Sequence, residues 1–184
     1  MVDANHAYSV PTAVSLAKQM EKFNISWFEE PVVPEDIDGY RRVQSKTYIP
    51  IAGGECSFMR YGFRDLFVGK CKARSSSENM TNMTGRGGPC VEIAQPDIAA
   101  AGGLTEFQKI SALGKHCHTI NILSHSFILV HLTASSFGVS LVPHVWGSGV
   151  GLAAALHAVS TLPLTPYTCN PGYLENMPVI EFDR

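Results

Sequence analysis

The sequence predicts an α/β chain in which parallel strands alternate with helices to form part of a (β/α) barrel. Two observations carry that expectation. Apolar runs end repeatedly in acid: Met1-Val2 in Asp3, Ile25 to Phe28 in Glu29-Glu30-Pro31, and Ile49 to Ala52 in Gly53-Gly54-Glu55. Such a run reads as a buried parallel strand that delivers a side chain to the open end of a sheet. The second observation is spacing, since 26 residues separate Asp3 from Glu29 and 26 again separate Glu29 from Glu55. A strand, a loop and a helix together need roughly 30 residues, so the interval fits one βα unit and suggests three successive strand ends.

The stretches between these runs have helical periodicity. Over Ser9 to Phe23, Ala13, Leu16, Ala17 and Met20 fall on one face and Lys18, Gln19 and Lys22 on the other, with Pro11 in the first turn. A second helix is expected over Glu35 to Lys46, with Ile37, Tyr40 and Val43 on one face, and a third over Met59 to Phe67. From Val91 the pattern resumes. Val91 to Asp97 reads as a short strand closing in acid, Ile98 to Gly103 as a small-residue loop, and Thr105 as the cap of a helix through Leu113. Val139 to His144 is the next strand, ending in histidine; Trp146 to Gly151 is a Gly-rich turn and Leu152 to Leu162 an Ala-rich helix. Val179-Ile180-Glu181 is one more strand with one more acid.

Composition bounds the function. The chain has 184 residues, 45% hydrophobic and 16% charged, with a formal charge of −2, which suits one domain with a core. That balance offers no basic patch for nucleic acid and no cationic face for an anionic membrane. The five cysteines (Cys56, Cys71, Cys90, Cys117, Cys169) are odd in number and lack CxxC spacing, so reduced thiols in a cytoplasmic protein are expected. Asp3 interrupts any apolar start, so no signal peptide is expected.

Three acids at successive strand ends offer only oxygen ligands, which suit Mg²⁺, or Mn²⁺, better than zinc. The expected ligands are Asp3, Glu29 and Glu55, although each acid taken alone reads equally as surface charge. Glu30 competes with Glu29; neighbours on a strand face opposite ways, and the spacing selects Glu29. Such a site supports removal of a proton next to a carboxylate, because a bound divalent ion stabilises the second negative charge that results. His144 is the candidate base, and Asp97, one βα unit earlier, could accept its N–H and raise its basicity. The alternative for His144 is a core histidine beneath a helix. Asn5 and His6 flank Asp3 and are candidates to meet the substrate.

Asp3-Ala4-Asn5, Glu29-Glu30-Pro31, Gly54-Glu55, Gln95-Pro96-Asp97 with Ala101-Gly102-Gly103, Pro143-His144 and Glu181-Phe182-Asp183 resemble the barrel motifs of the mandelate racemase branch of the enolase superfamily. The resemblance implies a partial TIM-type (β/α) barrel comprising strands 3 to 8, with Mg²⁺ on Asp3, Glu29 and Glu55. It also implies a base dyad of His144 and Asp97, and Glu181 helping to hold the substrate carboxylate. The capping domain and the first two strands, with the lysine motif, are expected to be absent. The parent enzyme would be a homo-oligomer acting on a small carboxylate, with no nucleic acid or membrane partner.

The first departure from that pattern is length. Glu55 to Asp97 is 42 residues and Asp97 to His144 is 47, so something is added twice, at about 69–88 and 114–136. Both additions begin Gly-Lys, as a translated intron junction would encode. The first is polar and holds sequons at Asn79 and Asn82. The second has an apolar run from Ile120 to Leu132, and its His116, His118, His125 and His131 make a weaker alternative metal set. The expected activity is dehydration of a sugar acid, an aldonate or aldarate, to a 2-keto-3-deoxy acid. Racemisation or epimerisation of a 2-hydroxy acid is the second reading, and an inert truncated remnant the third.

Overall fold

The computed structural model describes residues 1–68, 89–113 and 139–160. The expected additions, the histidines at 116 to 131 and the expected strand at Val179 to Glu181 lie outside these. The described residues form five βα units: β1 (Val2–Asp3), α1 (Val10–Met20), β2 (Phe28–Glu29), α2 (Ile37–Gln44), β3 (Ile51–Gly53), α3 (Met59–Val68), β4 (Ile93–Ala94), α4 (Leu104–Ala112), β5 (Ser140–Leu141) and α5 (Gly149–Val159). The strands lie parallel in sequential order, β1-β2-β3-β4-β5. That is the arc of a barrel wall, as the alternation of strand and helix predicts.

Each strand is short, but flanking backbone bonds extend the ladder. Val2 N–H donates to Trp27 (3.1 Å), Ala4 N–H to Glu29 (3.0 Å), Glu30 N–H to Ala52 (3.1 Å) and Gln95 N–H to Gly53 (3.0 Å). Side chains alternate across this sheet. Phe28, Ile51 and Ala94 join Ala13, Ala17, Tyr40, Val43, Phe63 and Phe67 in the layer beneath the helices. Trp27, Ala52, Ile93 and Val142 form a separate cluster on the opposite, inner side. The same period-2 rule therefore separates the helix-facing core from the face that carries functional groups.

Local chemistry sets the helix ends. Pro11 lies in the first turn of α1, which tightens after Met20 into a 3₁₀ turn over Glu21–Phe23 and stops at Asn24, in the left-handed region at φ 51°. The Glu21 carboxylate accepts from Thr47 Oγ1 (2.9 Å) and Tyr48 N–H (3.1 Å), tying that turn to the approach of β3. Asp36 caps α2 by accepting from Gly39 N–H at 2.9 Å. Two expectations are corrected. Helix α4 starts at Leu104 with Gly103, at φ 87°, as its cap, so Thr105 is already inside the helix. Helix α5 starts at Gly149, capped by Ser148, so part of the Gly-rich turn is its first turn, and it ends at Val159.

Helices α3 and α4 are clamped by Glu106, which accepts from Arg60 Nη1 (2.6 Å) and Lys109 Nζ (2.8 Å). The Cys90 N–H donates to the Leu66 carbonyl at 2.8 Å, so the chain returns at residue 90 beside the last turn of α3. Glu92 is a strut behind β3, since its carboxylate accepts from Ile51 N–H (2.8 Å) and Gln44 Nε2 (2.8 Å).

Burial pushes the Glu92 carboxyl above its ordinary value, against the opposing effect of those donors. The folded state therefore holds the Glu92 proton more tightly than the unfolded chain does. Its contribution to stability is full below the ordinary carboxylate range and is lost as pH rises through the raised value. Glu92→Gln should flatten that decline, so that the stability of the variant relative to the parent chain is more favourable at pH 7 than at pH 4, as read from urea midpoints at the two pH values.

Candidate functional site

The functional groups gather at the C-terminal ends of the strands. Asp3 and Glu29 are register partners on β1 and β2, so they face the same side. Glu29 is buried, at 1% exposure, and its Oε2 accepts from the indole N–H of Trp27 at 2.9 Å. Trp27 is two residues earlier, just before the strand, and lies on the same inner side. The partner of Glu29 on β3 is Ala52, not Glu55. The second 26-residue interval is therefore not a repeat of register. Glu55 lies beyond the strand, after Gly54 at φ 125°, where an added Cβ would come within 2.9 Å of the Phe63 ring.

From this loop Glu55 turns towards β5. Its Oε2 lies 3.3 Å from His144 Nε2, while His144 Nδ1 lies 2.9 Å from Asp97 Oδ2. The other oxygen of Asp97 accepts from the Ala99 and Ala100 N–H groups, at 2.8 and 2.9 Å. Backbone donors thus fix the carboxylate, and the carboxylate fixes the ring. The expected neighbours Asp97 and His144 are together, with His144 8% and Asp97 7% exposed. The Glu55 carboxyl is held above its ordinary value, chiefly by burial, with Glu29 and Asp3 adding to the rise and His144 opposing it.

Glu30 corrects the sequence reading that only one of the two adjacent acids points to this mouth. Its backbone is left-handed at φ 37°, which breaks the strand alternation. Its carboxyl is pushed up to about 8, first by burial and then by the charges of Glu55, Glu29 and Asp3. Both acids therefore sit within one negative field. Pro31 next in the chain is the signal that could have shown this, because alternation lapses where a strand stops.

Asn5 and His6 are also left-handed, at φ 45° and 59°, and the Asn5 N–H is bonded to Asp3 Oδ1 at 2.8 Å. That turn brings His6 back over β2, where its Nδ1 lies 2.8 Å from Glu30 Oε2. On its other side Nε2 is 4.0 Å from Cys56 Sγ. Cys56 had only a bland reading in the sequence; its position next to Glu55 at a strand end was the available signal. Of the residues expected at the site, Asp3, Asn5, His6, Glu29, Glu55, Asp97 and His144 all belong to this mouth, and Glu181 lies outside the described residues. Among the described residues the ligand atoms that stand within one ion's reach of each other are those of His6, Glu30 and Cys56, while Glu29 is engaged by Trp27 and Glu55 by His144.

The Trp27 contact is testable without any substrate. Trp27→Phe keeps the ring in the inner cluster but leaves the buried Glu29 carboxylate without that donor. It should cost about 1–3 kcal/mol, measured by chemical denaturation.

Residues 1–72 match the family described as Enolase C-terminal domain-like. Over its whole length the chain is 39% identical to the D-galactarolactone cycloisomerase of Agrobacterium fabrum, covering 37% of that protein. It is 31% identical to a D-galactonate dehydratase of Ralstonia pickettii, over 85% of this chain and 31% of that one. The crystal structure of the 3,6-anhydro-D-galactonate cycloisomerase from Zobellia galactanivorans superposes with a TM-score of 0.68 at 41% identity, covering 100% of this chain and 38% of the other. The chain thus spans about a third of the length of the relatives it matches.

Proposed function

This chain belongs to the enolase superfamily, in its mandelate racemase-like branch, and from that premise we propose that it removes the proton α to the carboxylate of a sugar acid and then expels the β-oxygen. The observation that carries the reading is the run of side chains Asp97, His144 and Glu55, which joins an oriented imidazole to the acid cluster. The proposed unit is an incomplete barrel domain interrupted at about 69–88 and 114–136.

Asp3, Glu29 and Glu55 would hold Mg²⁺, with Mn²⁺ as the alternative. The fit rests on unbalanced charge: the charges acting on Glu30 are all negative, and the partners of Glu30 and Glu55 are the imidazoles of His6 and His144. Carboxylate oxygens are the ligands such hard cations prefer. A divalent ion held there would offset the second negative charge that develops as the α-proton leaves.

His144 takes that proton on Nε2, and Asp97 accepts the Nδ1–H and stabilises the imidazolium. The electron pair left on the α-carbon then forms the double bond to the β-carbon, and the β C–O bond breaks. The imidazolium returns its proton to the departing oxygen. Where that oxygen is a free hydroxyl, water leaves and the enol becomes a 2-keto-3-deoxy acid. Where it belongs to a ring, the same step opens the ring with no change of formula, which is a cycloisomerisation. The relatives at 39% and 41% identity favour a ring substrate, and the dehydratase relative favours an open sugar acid. Racemisation needs the proton returned to the carbon it left, and none of these three relatives supports it by name. Asn5, His6 and Glu181 are assigned to the substrate, with Glu181 at its carboxylate.

The test is Mg²⁺-dependent exchange of the α-deuteron in aldonates, aldarates and their lactones, with keto-acid formation followed in parallel. His144→Ala should lower both by about 10²–10⁴-fold, and Asp97→Asn should lower both while leaving the fold intact. Undiminished exchange in His144→Ala would remove the imidazole from the mechanism.

A further inference from the structure

We propose that His6, Glu30 and Cys56 form a second cation site, for a borderline-soft divalent ion such as Zn²⁺, beside the acidic triplet and separate from it. One ligand atom from each of the three lies within 4.8 Å of the others. Nitrogen, oxygen and sulfur together make a donor set suited to zinc and poorly suited to magnesium, the reverse of the preference of three carboxylates. The same three strand ends thus carry a hard set at positions 3, 29 and 55 and a softer set at 6, 30 and 56.

Two unmet polar atoms point to a ligand. Glu30 is buried, at 1% exposure, yet its Oε1 has no hydrogen-bond partner among the described residues. His6 Nδ1 is likewise buried and lacks a hydrogen bond, although it lies only 2.8 Å from Glu30 Oε2. The two groups thus lie side by side, with Glu30 Oε1 still unmet and His6 Nδ1 without an aligned hydrogen bond among the described residues. With zinc bonds of about 2.0–2.3 Å, ligand atoms of a tetrahedral site stand about 3.3–3.6 Å apart. One ring nitrogen serves a given ion, so Nδ1, 2.8 Å from Glu30 Oε2, and Nε2, 4.0 Å from Cys56 Sγ, are alternative ligand atoms, and rotation of the side chains is needed to bring all three donors to that spacing. Cys56 is exposed, so an ion reaches the site from solvent, and three protein ligands leave a fourth position for water.

Occupancy takes the His6 imidazole out of the mouth of the proposed active site, so zinc acts there as an inhibitor. Binding itself requires no turnover, and its test stands apart from the catalytic reading. The full chain, held in excess Mg²⁺, is titrated with Co²⁺ as a spectroscopic substitute for zinc. The expected result is a near-ultraviolet thiolate-to-cobalt band that saturates at one equivalent and is removed by added Zn²⁺. Cys56→Ser should abolish the band and weaken Co²⁺ binding at least tenfold, and His6→Ala should weaken it comparably. Asp3→Asn and Cys90→Ser should leave the band in place. Absence of a band in the parent chain, or a band that survives Cys56→Ser, overturns the proposal.

Discussion

The constraint on which the rest depends is the gathering of negative charge at one end of a parallel sheet. Glu29 and Glu30 are buried there, and Asp3 and Glu55 add to the field they share. Burying carboxylates together is unfavourable unless hydrogen bonds, imidazoles or a cation offset it. The scaffold is arranged to hold them regardless. Trp27 donates to Glu29, His6 lies against Glu30 and His144 against Glu55, while the apolar layer under the helices fixes the strands that carry them.

This arrangement explains why neighbouring residues take unlike conformations. Phe28 obeys the strand alternation and enters the helix-facing core, whereas Glu30, two positions on, is turned by a left-handed backbone into the acid field. A residue in that conformation costs on the order of 1–3 kcal/mol and persists only where surroundings impose it. Here those surroundings are the ladder bonds on either side, from Glu30 N–H to Ala52 and from His6 N–H to the Glu30 carbonyl at 2.9 Å. Rigidity in the sheet is what makes a strained mouth tenable.

Much of this was legible in the sequence, for reasons that can be located. The run Ile25 to Phe28 closing in acid marked β2, and the helical stripe of Ala13, Ala17 and Met20 marked α1, because both patterns are dictated by burial. The pairing of Asp97 with His144 was also legible, since each stands just past a strand. The rest depended on backbone geometry that side-chain pattern does not carry. Gly103 rather than Thr105 caps α4, Ala52 rather than Glu55 faces Glu29 across the ladder, and Glu30 leaves the alternation at a strand end. The nearness of Cys56 to His6 was invisible because it depends on the return of His6 over β2.

The bond from Cys90 to Leu66 bears on the connection between the third helix and the fourth strand. The described chain on the far side, at Cys90, thus lies against the last turn of the helix that ends at Val68. Closing a loop scales only logarithmically with its length, about 0.6 kcal/mol for each doubling. Lengthening a connection at this position would therefore be thermodynamically cheap. Evolution can write freely there without rewording the sentence on either side.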